Sequence, residues 1–541
     1  MIHGSPVTSA ATAAANGIGP TGRVTGPAAS GDSVTWRHWL GFVFLLIGQF
    51  MAVLDIQIVA SSLGELRASL GATVEEIALI QSSYLVAEVV MIPLSAWLAR
   101  LFSIRYMFAG SAACFMVASL LCATAWNLES MIVFRSLQGF FAGALTPLSF
   151  ATIFFMFPRS KHAIGVAIAG MITTTGITLG PAIGGFITTT FSWHWIFLMN
   201  IVPGLIVVFG VLALIDVDRP QWHILPQIDI PGVLLAAVFL SGLIILFDKG
   251  PENDWFDTLW ILQLTIVTAV SGILFVWREL TCRFPMIQLK LFTDKTFSAG
   301  CACSFILGAA IVGSAYLSPA MLSTVRGYNS QQIGTIMMFT GAAQVFLAPV
   351  ASLMVQRMAG RIVLAIGLVI LMAALVWHGQ MTAEMGIDQL AIPQFMRGFG
   401  IMLCFMPITI ISIGSVPLSE VRNASSLFNL FRSLGGAIGL SMVTTAQEGR
   451  FDFHRERLLE QLSEGGAAAT QFLTGLQQRI EDTYSTIRDP AEAALRIMNA
   501  FIEREVWVLT FNDMWIAMAA YCGLTFLFLP FLPDKVGVQD D

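Results

Sequence analysis

Five ionisable side chains stand inside long apolar runs of this sequence: Asp55, Glu88, Arg135, Arg397 and Arg432. A charge facing lipid costs several kcal/mol, so each is expected to face a bundle interior or a water-filled cavity. At a rise of about 1.5 Å per residue, Asp55 lies roughly 25 Å along its run. Arg135 lies roughly 10 Å into a run of opposite direction, so the two share the outer half of the bundle. An ion pair between them, direct or through water, is expected. Glu88 falls close to the midplane, and Gln81, Tyr84, Glu88 and Ser95 follow at helical spacing to make one polar stripe. A carboxylate at that depth can exchange protons; the bland alternative is a neutral packing carboxyl held by hydrogen bonds. Arg135 stays protonated and cannot carry a proton itself, but it can bias a carboxylate beside it. It could equally do no more than tie helices together through carbonyls.

Around these charges lie small residues. Gly176, Gly180 and Gly184 recur every four residues in GITLGPAIGG, a strip that lets another helix approach closely. Gly185 follows, and Pro181 removes one backbone hydrogen bond, making a kink available. GPAIGG at 180–185 matches GGAIGL at 435–440, and Gln138-Gly139 leading to Pro147 resembles Arg397-Gly398 leading to Pro407. The chain therefore contains an internal repeat. In its second copy Ser425, Asn429, Arg432 and Gly436 share one helix face. Repeats with a site at their interface are the usual build of secondary transporters.

The elements that must position these residues are membrane spans. Of 541 residues, 56% are hydrophobic and only 11% charged, too few charges to cover a water-facing surface, and the net charge of −6 offers nucleic acid nothing. The apolar residues fall in blocks of about 20, the length that crosses a bilayer. Fourteen such spans are expected, the first near 38–62 and the last near 507–530, and no removable signal peptide precedes them. Lys and Arg crowd the loops of one side, leaving Arg67, Lys249 and Arg326 to the short loops of the other, so both termini are expected in the cytoplasm. Six of the seven cysteines fall in spans and Cys282 in an inner loop, spaced as buried apolar residues rather than metal ligands. No phosphate-binding loop of the GxxxxGK[ST] kind occurs, which argues against an ATP-driven pump. The seven His are scattered, which argues against an enzyme.

At these residues the sequence resembles the major facilitator superfamily, in particular its fourteen-span drug:proton antiporters of the EmrB/QacA type. VLDIQI at 53–58 is similar to the family's first-span signature, with Asp55 in the acidic position and Ala60 and Gly64 in place of the usual Asn and Pro. RSLQG at 135–139 resembles the fourth-span motif with its proton-relay Arg, and GITLGPAIGG the fifth-span antiporter motif. NLFRSLGGAIG resembles the late-span signature. AWLARLFSIR keeps Trp97, Leu98 and Arg105 of the loop motif but has Arg100 where an Asp is usual, so an acidic latch is not expected there.

The resemblance implies an all-α polytopic membrane protein of major facilitator fold, two six-helix bundles plus two extra central helices. The expected organisation is a disordered cytoplasmic tail over 1–35, a first bundle over 36–216, and inserted spans and linker over 217–295. A second bundle over 296–533 follows, with an extracytoplasmic loop at 446–506 that reads as amphipathic helix, then a tail over 534–541. The implied activity is proton-coupled export of hydrophobic, cationic compounds from a bacterial inner membrane by alternating access, with no cofactor. Asp55, Glu88 and Arg135 are expected to couple protons. Gln81, Tyr84, Glu88, Gln138, Asn429 and Arg432 are expected to line the substrate cavity, and Gly176, Gly180, Pro181, Gly184 and Gly185 to form the conformational motif. Expected partners are the small-molecule substrate, protons, the lipid bilayer and, by analogy with EmrB-like members, a periplasmic adaptor with an outer-membrane channel. The competing readings are an exporter of one metabolite, lipid precursor or siderophore, and a membrane channel.

Overall fold

Apolar runs of this length leave a lipid-embedded backbone one solution: every N–H and C=O must be paired within its own segment, and the chain folds as helices. The computed structural model describes residues 34–253, 255–464, 466–483 and 489–533; the tails expected over 1–35 and 534–541 lie outside these except for residues 34 and 35. Among the described residues there is no strand.

The first half comprises α1 (Trp36–Ser61), α2 (Leu63–Leu70), α3 (Val74–Phe102), α4 (Ile104–Ala123), α5 (Leu128–Ala142), α6 (Leu145–Met156), α7 (Arg159–Thr190), α8 (His194–Leu198) and α9 (Ile201–Leu214). Then come α10 (Ile230–Lys249) and α11 (Leu259–Thr281). The second half comprises α12 (Lys295–Arg326), α13 (Ser330–Arg357), α14 (Gly360–His378), α15 (Ile387–Gly414), α16 (Val421–Glu464), α17 (Gly466–Thr483) and α18 (Pro490–Gly523). Thirteen helical segments among the described residues are long and apolar enough to cross a membrane, with α5–α6 and α8–α9 each counting as one. The bent α7 makes fourteen. Its two parts, Arg159–Ile177 and Leu179–Thr190, meet at 42°. The break falls where Pro181 has no N–H to give the carbonyl four residues earlier.

Start signals are local. Asn127 and Asn329 accept the backbone N–H of Ser130 and Gln332, each at 2.9 Å, and so cap the spans that follow. Gly71 and Gly327, at φ near +65°, end α2 and α12 in the left-handed conformation.

The two halves repeat one packing scheme. α1 packs on α7 and α9, α5 on α3 and α4; correspondingly α12 packs on α16 and α18, and α15 on α13 and α14. Across the halves α7 meets α13 and α3 meets α16. The inserted α10 lies against both α3 and α16 and so covers the second of these seams. Residues 446–506 are largely helix: α16 runs without a break to Glu464, and α17 packs back on α18.

One end of the bundle is tied shut between the halves. Arg422, at the start of α16, pairs with Asp218, just after α9, at 2.7 Å. Beside it the Ser425 hydroxyl donates to the Pro147 carbonyl at 2.7 Å and that of Ser426 to the Ile92 carbonyl at 2.6 Å.

Candidate functional site

Within the first half, the charged centre is built from α1, α3, α4, α5 and the α8–α9 junction. α1 supplies Asp55, and α5 supplies Arg135 and Gln138 one turn apart. The backbones of α5 and α3 touch at Gly139, where a Cβ would strike the Tyr84 carbonyl. That contact seats Arg135 over the Tyr84 ring, 4.3 Å from its centroid. Arg135 Nη1 reaches Asp55 Oδ2 at 2.5 Å, and both side chains are fully buried. Gln138 completes the ring: its Oε1 accepts from Arg135 at 2.6 Å, and its Nε2 donates to Asp55 Oδ1 at 3.0 Å and to Ser119 Oγ at 2.6 Å. Asn200, at the α8–α9 junction, donates to Asp55 Oδ1 at 2.8 Å. A buried ion pair is held only when its remaining lone pairs and protons also find partners, and here most of them do.

On the matching helix α15 the second half places Arg397 at the repeat position of Gln138, without an acid. Its Nη1 donates to the Ser314 carbonyl at 2.7 Å and to Ser318 Oγ at 2.8 Å, and Nη2 to Thr340 Oγ1 at 3.1 Å. Gln394 ties Thr340 and Ser318 together at 2.7 and 3.2 Å. Gly398 lies against the Thr340 carbonyl as Gly139 lies against that of Tyr84. No carboxylate among the described residues pairs with Arg397.

Between the halves stand Glu88 on α3 and Arg432 on α16. Glu88 is half-buried and makes no side-chain hydrogen bond or ion pair among the described residues; the charges acting on it are those of Arg432 and then Arg135. Arg432 lies 5.4 Å from the centroid of the Phe405 ring and 6.0 Å from that of Phe150, and its Nη1 is buried without a hydrogen-bond partner. Phe150 and Phe405, one from each half, meet edge to face at 5.7 Å. Asn429 spends its amide on the Ser425 carbonyl at 2.8 Å and keeps a buried Oδ1 without a partner. Gln81 donates to the Ile56 carbonyl at 3.3 Å.

The residues expected to line a cavity thus divide. Gln81, Glu88 and Arg432 stand partly exposed along α3 and α16, with Asn429 buried on α16 one turn before Arg432. Tyr84 and Gln138 do not line it: both are fully buried, Tyr84 beneath Arg135 with its hydroxyl on the Ala52 carbonyl at 3.3 Å, and Gln138 inside the ion-pair cluster. Equal helical spacing does not separate a residue that faces the gap between halves from one pressed into the neighbouring helix.

The glycine strip meets α1. A Cβ at Gly176 would come to 3.1 Å of Val53, one at Gly180 would strike Gln57, and one at Gly184 the Ile58 backbone at 2.8 Å. Gly185 is buried on the same helix. Pro181 follows the bend at which α7 changes direction. The strip and the ion pair therefore share a helix, since Asp55 lies between Val53 and Gln57.

Sequence reasoning overlooked several polar groups. Asn200 and Ser119 are uncharged and fall in no polar stripe or motif; an Asn inside IFLMNIVPG is the one signal at Asn200. Asp248, one residue from the end of α10, accepts from Ser82 of α3 and joins an inserted span to the first half. Glu279 of α11 is buried and accepts the Ile287 N–H at 3.1 Å. Nor was an acid expected at the end of α3, where Arg100 stands in the last turn. Asp218 supplies one from another segment: it accepts the Ile104 N–H at 3.0 Å, at the first turn of α4, while pairing with Arg422. Burial pushes its carboxyl above the usual range, against the pull of Arg422 and of the Ile104 N–H.

Two pseudo-symmetric six-span bundles with polar residues between them are the build of a membrane transporter. The sequence profile described as Major Facilitator Superfamily matches residues 45–440. The chain belongs to that superfamily and, by its relatives, to the EmrB-type group within it. It is 32% identical over 505 residues to the Colistin resistance protein EmrB of Acinetobacter baumannii, covering 92% of this chain and 98% of that one. It is 30% identical to the Fatty acid resistance protein FarB of Neisseria gonorrhoeae, covering 88% and 93%. With the Multidrug export protein EmrB of Escherichia coli K12 it shares 32% identity, covering 78% and 82%. Among solved structures the fold is similar to the human organic anion transporter MFSD10 (TM-score 0.57, 11% identity, 91% of this chain and 99% of that one). It is similar also to the proton:xylose symporter XylE (TM-score 0.54, 12% identity, 90% and 96%).

Proposed function

We propose that the protein is a proton-coupled antiporter that exports hydrophobic, often cationic, toxic compounds by alternating access. The observation that carries this reading is Glu88: a carboxylate between the two halves, half-buried and free of side-chain hydrogen bonds among the described residues. Such a group can take either a proton or a cationic substrate but not both, and that competition is the minimum chemistry of antiport. A proton arriving on Glu88 removes the charge that holds the cation; loss of the proton restores it.

The Asp55–Arg135 pair acts on conformation. It sits on α1 beside the contact with the α7 glycines, and α7 packs on α13 of the other half. Proton occupancy of Asp55 would loosen Arg135 and let α1 and α7 shift together. Names of the relatives support export of noxious compounds: resistance to colistin and to fatty acids, and multidrug export. A second reading, export of one defined metabolite, lipid precursor or siderophore, draws on Arg432, whose buried Nη1 without a partner suits an anionic group on a fixed substrate.

The Lys/Arg asymmetry supports an inner-membrane orientation with both termini cytoplasmic, which puts α17 on the outer side. There it is placed to meet a periplasmic adaptor, itself joined to an outer-membrane channel. Retention of the adaptor on co-purification after deletion of 455–500 would remove that part of the proposal.

The coupling is tested with purified protein in proteoliposomes under an imposed pH gradient. Substrate-dependent proton movement should disappear in Glu88→Gln, and binding of a cationic substrate at high pH should fall to the weak level that wild type shows at low pH. Unchanged proton movement in that variant overturns the assignment.

A further inference from the structure

A cavity of about 360 Å³ opens at the end of the first bundle, away from Glu88 and from the ion-pair cluster. Four span ends meet around it: α1 begins at Trp36, α4 at Ile104, α6 ends at Met156 and α9 at Leu214. Where spans begin and end together the hydrocarbon gives way to headgroups, so the cavity lies at the level of the membrane interface. Trp36, 70% exposed beside it, is the residue type that anchors at that level.

Its lining is two-faced. Met156, Leu214 and Ile215 make an apolar wall, while Arg37, His38 and Arg105 bring basic groups. Neither guanidinium has a carboxylate partner among the described residues. Arg105 spends Nη2 on the Leu212 carbonyl and keeps a buried Nε without a hydrogen-bond partner. His38 holds Thr35 through Nδ1 at 2.7 Å, and its Nε2 has no partner among the described residues. Asp216 is the one carboxylate in the lining, so the guanidinium charge exceeds the acidic charge.

From this arrangement we propose that the cavity binds the phosphate of an anionic phospholipid, with Arg37 and Arg105 on the phosphate and the apolar wall against the glycerol and first acyl carbons. Guanidinium pairs are suited to phosphate because their fixed donors match its oxygens. An anionic leaflet supplies that ligand at the depth where the cavity lies. A free phosphate ester carries the same chemistry, but it has no use for the Met156–Leu214–Ile215 wall.

The test is thermal unfolding of the purified protein in detergent micelles doped with phosphatidylglycerol, with phosphatidylcholine, or with neither plus inorganic phosphate. Phosphatidylglycerol should raise the unfolding midpoint by about 3 °C, with little effect from the other two. Arg37→Gln, at an exposed position without a partner and therefore safe for folding, should remove about half of the gain, and Arg37→Gln with Arg105→Gln all of it. A full gain from inorganic phosphate alone, lost in the same variants, keeps the site and makes a soluble phosphate its ligand. Equal gains in wild type and both variants, or no gain with either phosphate source, overturn the proposal.

Discussion

Arg135 and Arg397 stand on corresponding helices of the two halves, each one turn from a Gln, with Arg and Gln exchanged between the aligned positions (Arg135 and Gln138 against Gln394 and Arg397), yet only Arg135 has an acid. Around Arg135 the chain provides Asp55, Gln138 and Asn200; around Arg397 it provides Ser314, Ser318, Thr340 and Gln394. Both sets hold a guanidinium out of lipid, so a buried Arg by itself says nothing of protons. The difference lies in what can change charge. The first cluster contains a carboxylate whose protonation would undo it, and the second, among the described residues, offers Arg397 hydroxyls, a carbonyl and the Met337 sulfur but no carboxylate. Each half carries an Arg and a Gln one turn apart, in exchanged order, and only the first half sets a carboxylate beside its Arg.

The comparison breaks most sharply at Asp55. Asp55→Asn strands Arg135 in a fully buried position and should cost about 3–5 kcal/mol in unfolding free energy, with loss of transport. A double variant, Asp55→Leu with Arg135→Met, should recover much of that stability but no transport. If the double variant is no more stable than Asp55→Asn, the pair is not the unit described here. Arg397→Gln leaves no opposite charge behind, so only polar partners lose their donor. Its cost should be about 1–3 kcal/mol, with pH-driven exchange retained. A larger loss than at Asp55 would reverse the ranking of the two centres.

A sharper version supplies the second half with what it lacks. Ser318→Asp puts a carboxylate where Arg397 Nη1 already points, and should gain about 1 kcal/mol as a charge-assisted bond replaces a neutral one. The gain should vanish in combination with Arg397→Gln, as a melting series would show. Smallest is the effect expected at Asp218. With its proton held more tightly when buried against Arg422 than when hydrated, lowering pH into the carboxylate range should favour the tied end over the open one. Labelling of Ser425→Cys in a cysteine-free background, corrected for the pH dependence of labelling in the unfolded chain, should therefore slow between pH 7.5 and 5. Asp218→Asn, which cannot titrate, should make that corrected rate independent of pH.

Much of this arrangement is legible in the residues themselves. Length and apolarity give the spans, because the bilayer admits no other way to satisfy a backbone. Asp55 and Arg135 can be paired from depth alone, since both are too costly to leave apart. Helical spacing groups Gln81, Tyr84 and Glu88 but cannot tell which neighbour each one meets, and Tyr84 proves to be packed under Arg135. Asn200 escapes notice because an uncharged amide in an apolar run carries little penalty to flag it. Asp218 is invisible for a different reason. Its partners Ile104 and Arg422 are 114 and 204 residues away, and only the folded chain brings them to one place.

α16 carries one further consequence. It is a single helix of 44 residues, about 66 Å long at 1.5 Å per residue, and it holds Arg432 near one end and meets α17 near the other. Such a rod is a lever. A tilt of about 10° around the level of Arg432 would swing its far tip, roughly 30 residues on, by about 8 Å. Whatever turns the second half during a transport cycle is thereby amplified and delivered beyond the membrane, where α17 and the start of α18 move as its handle.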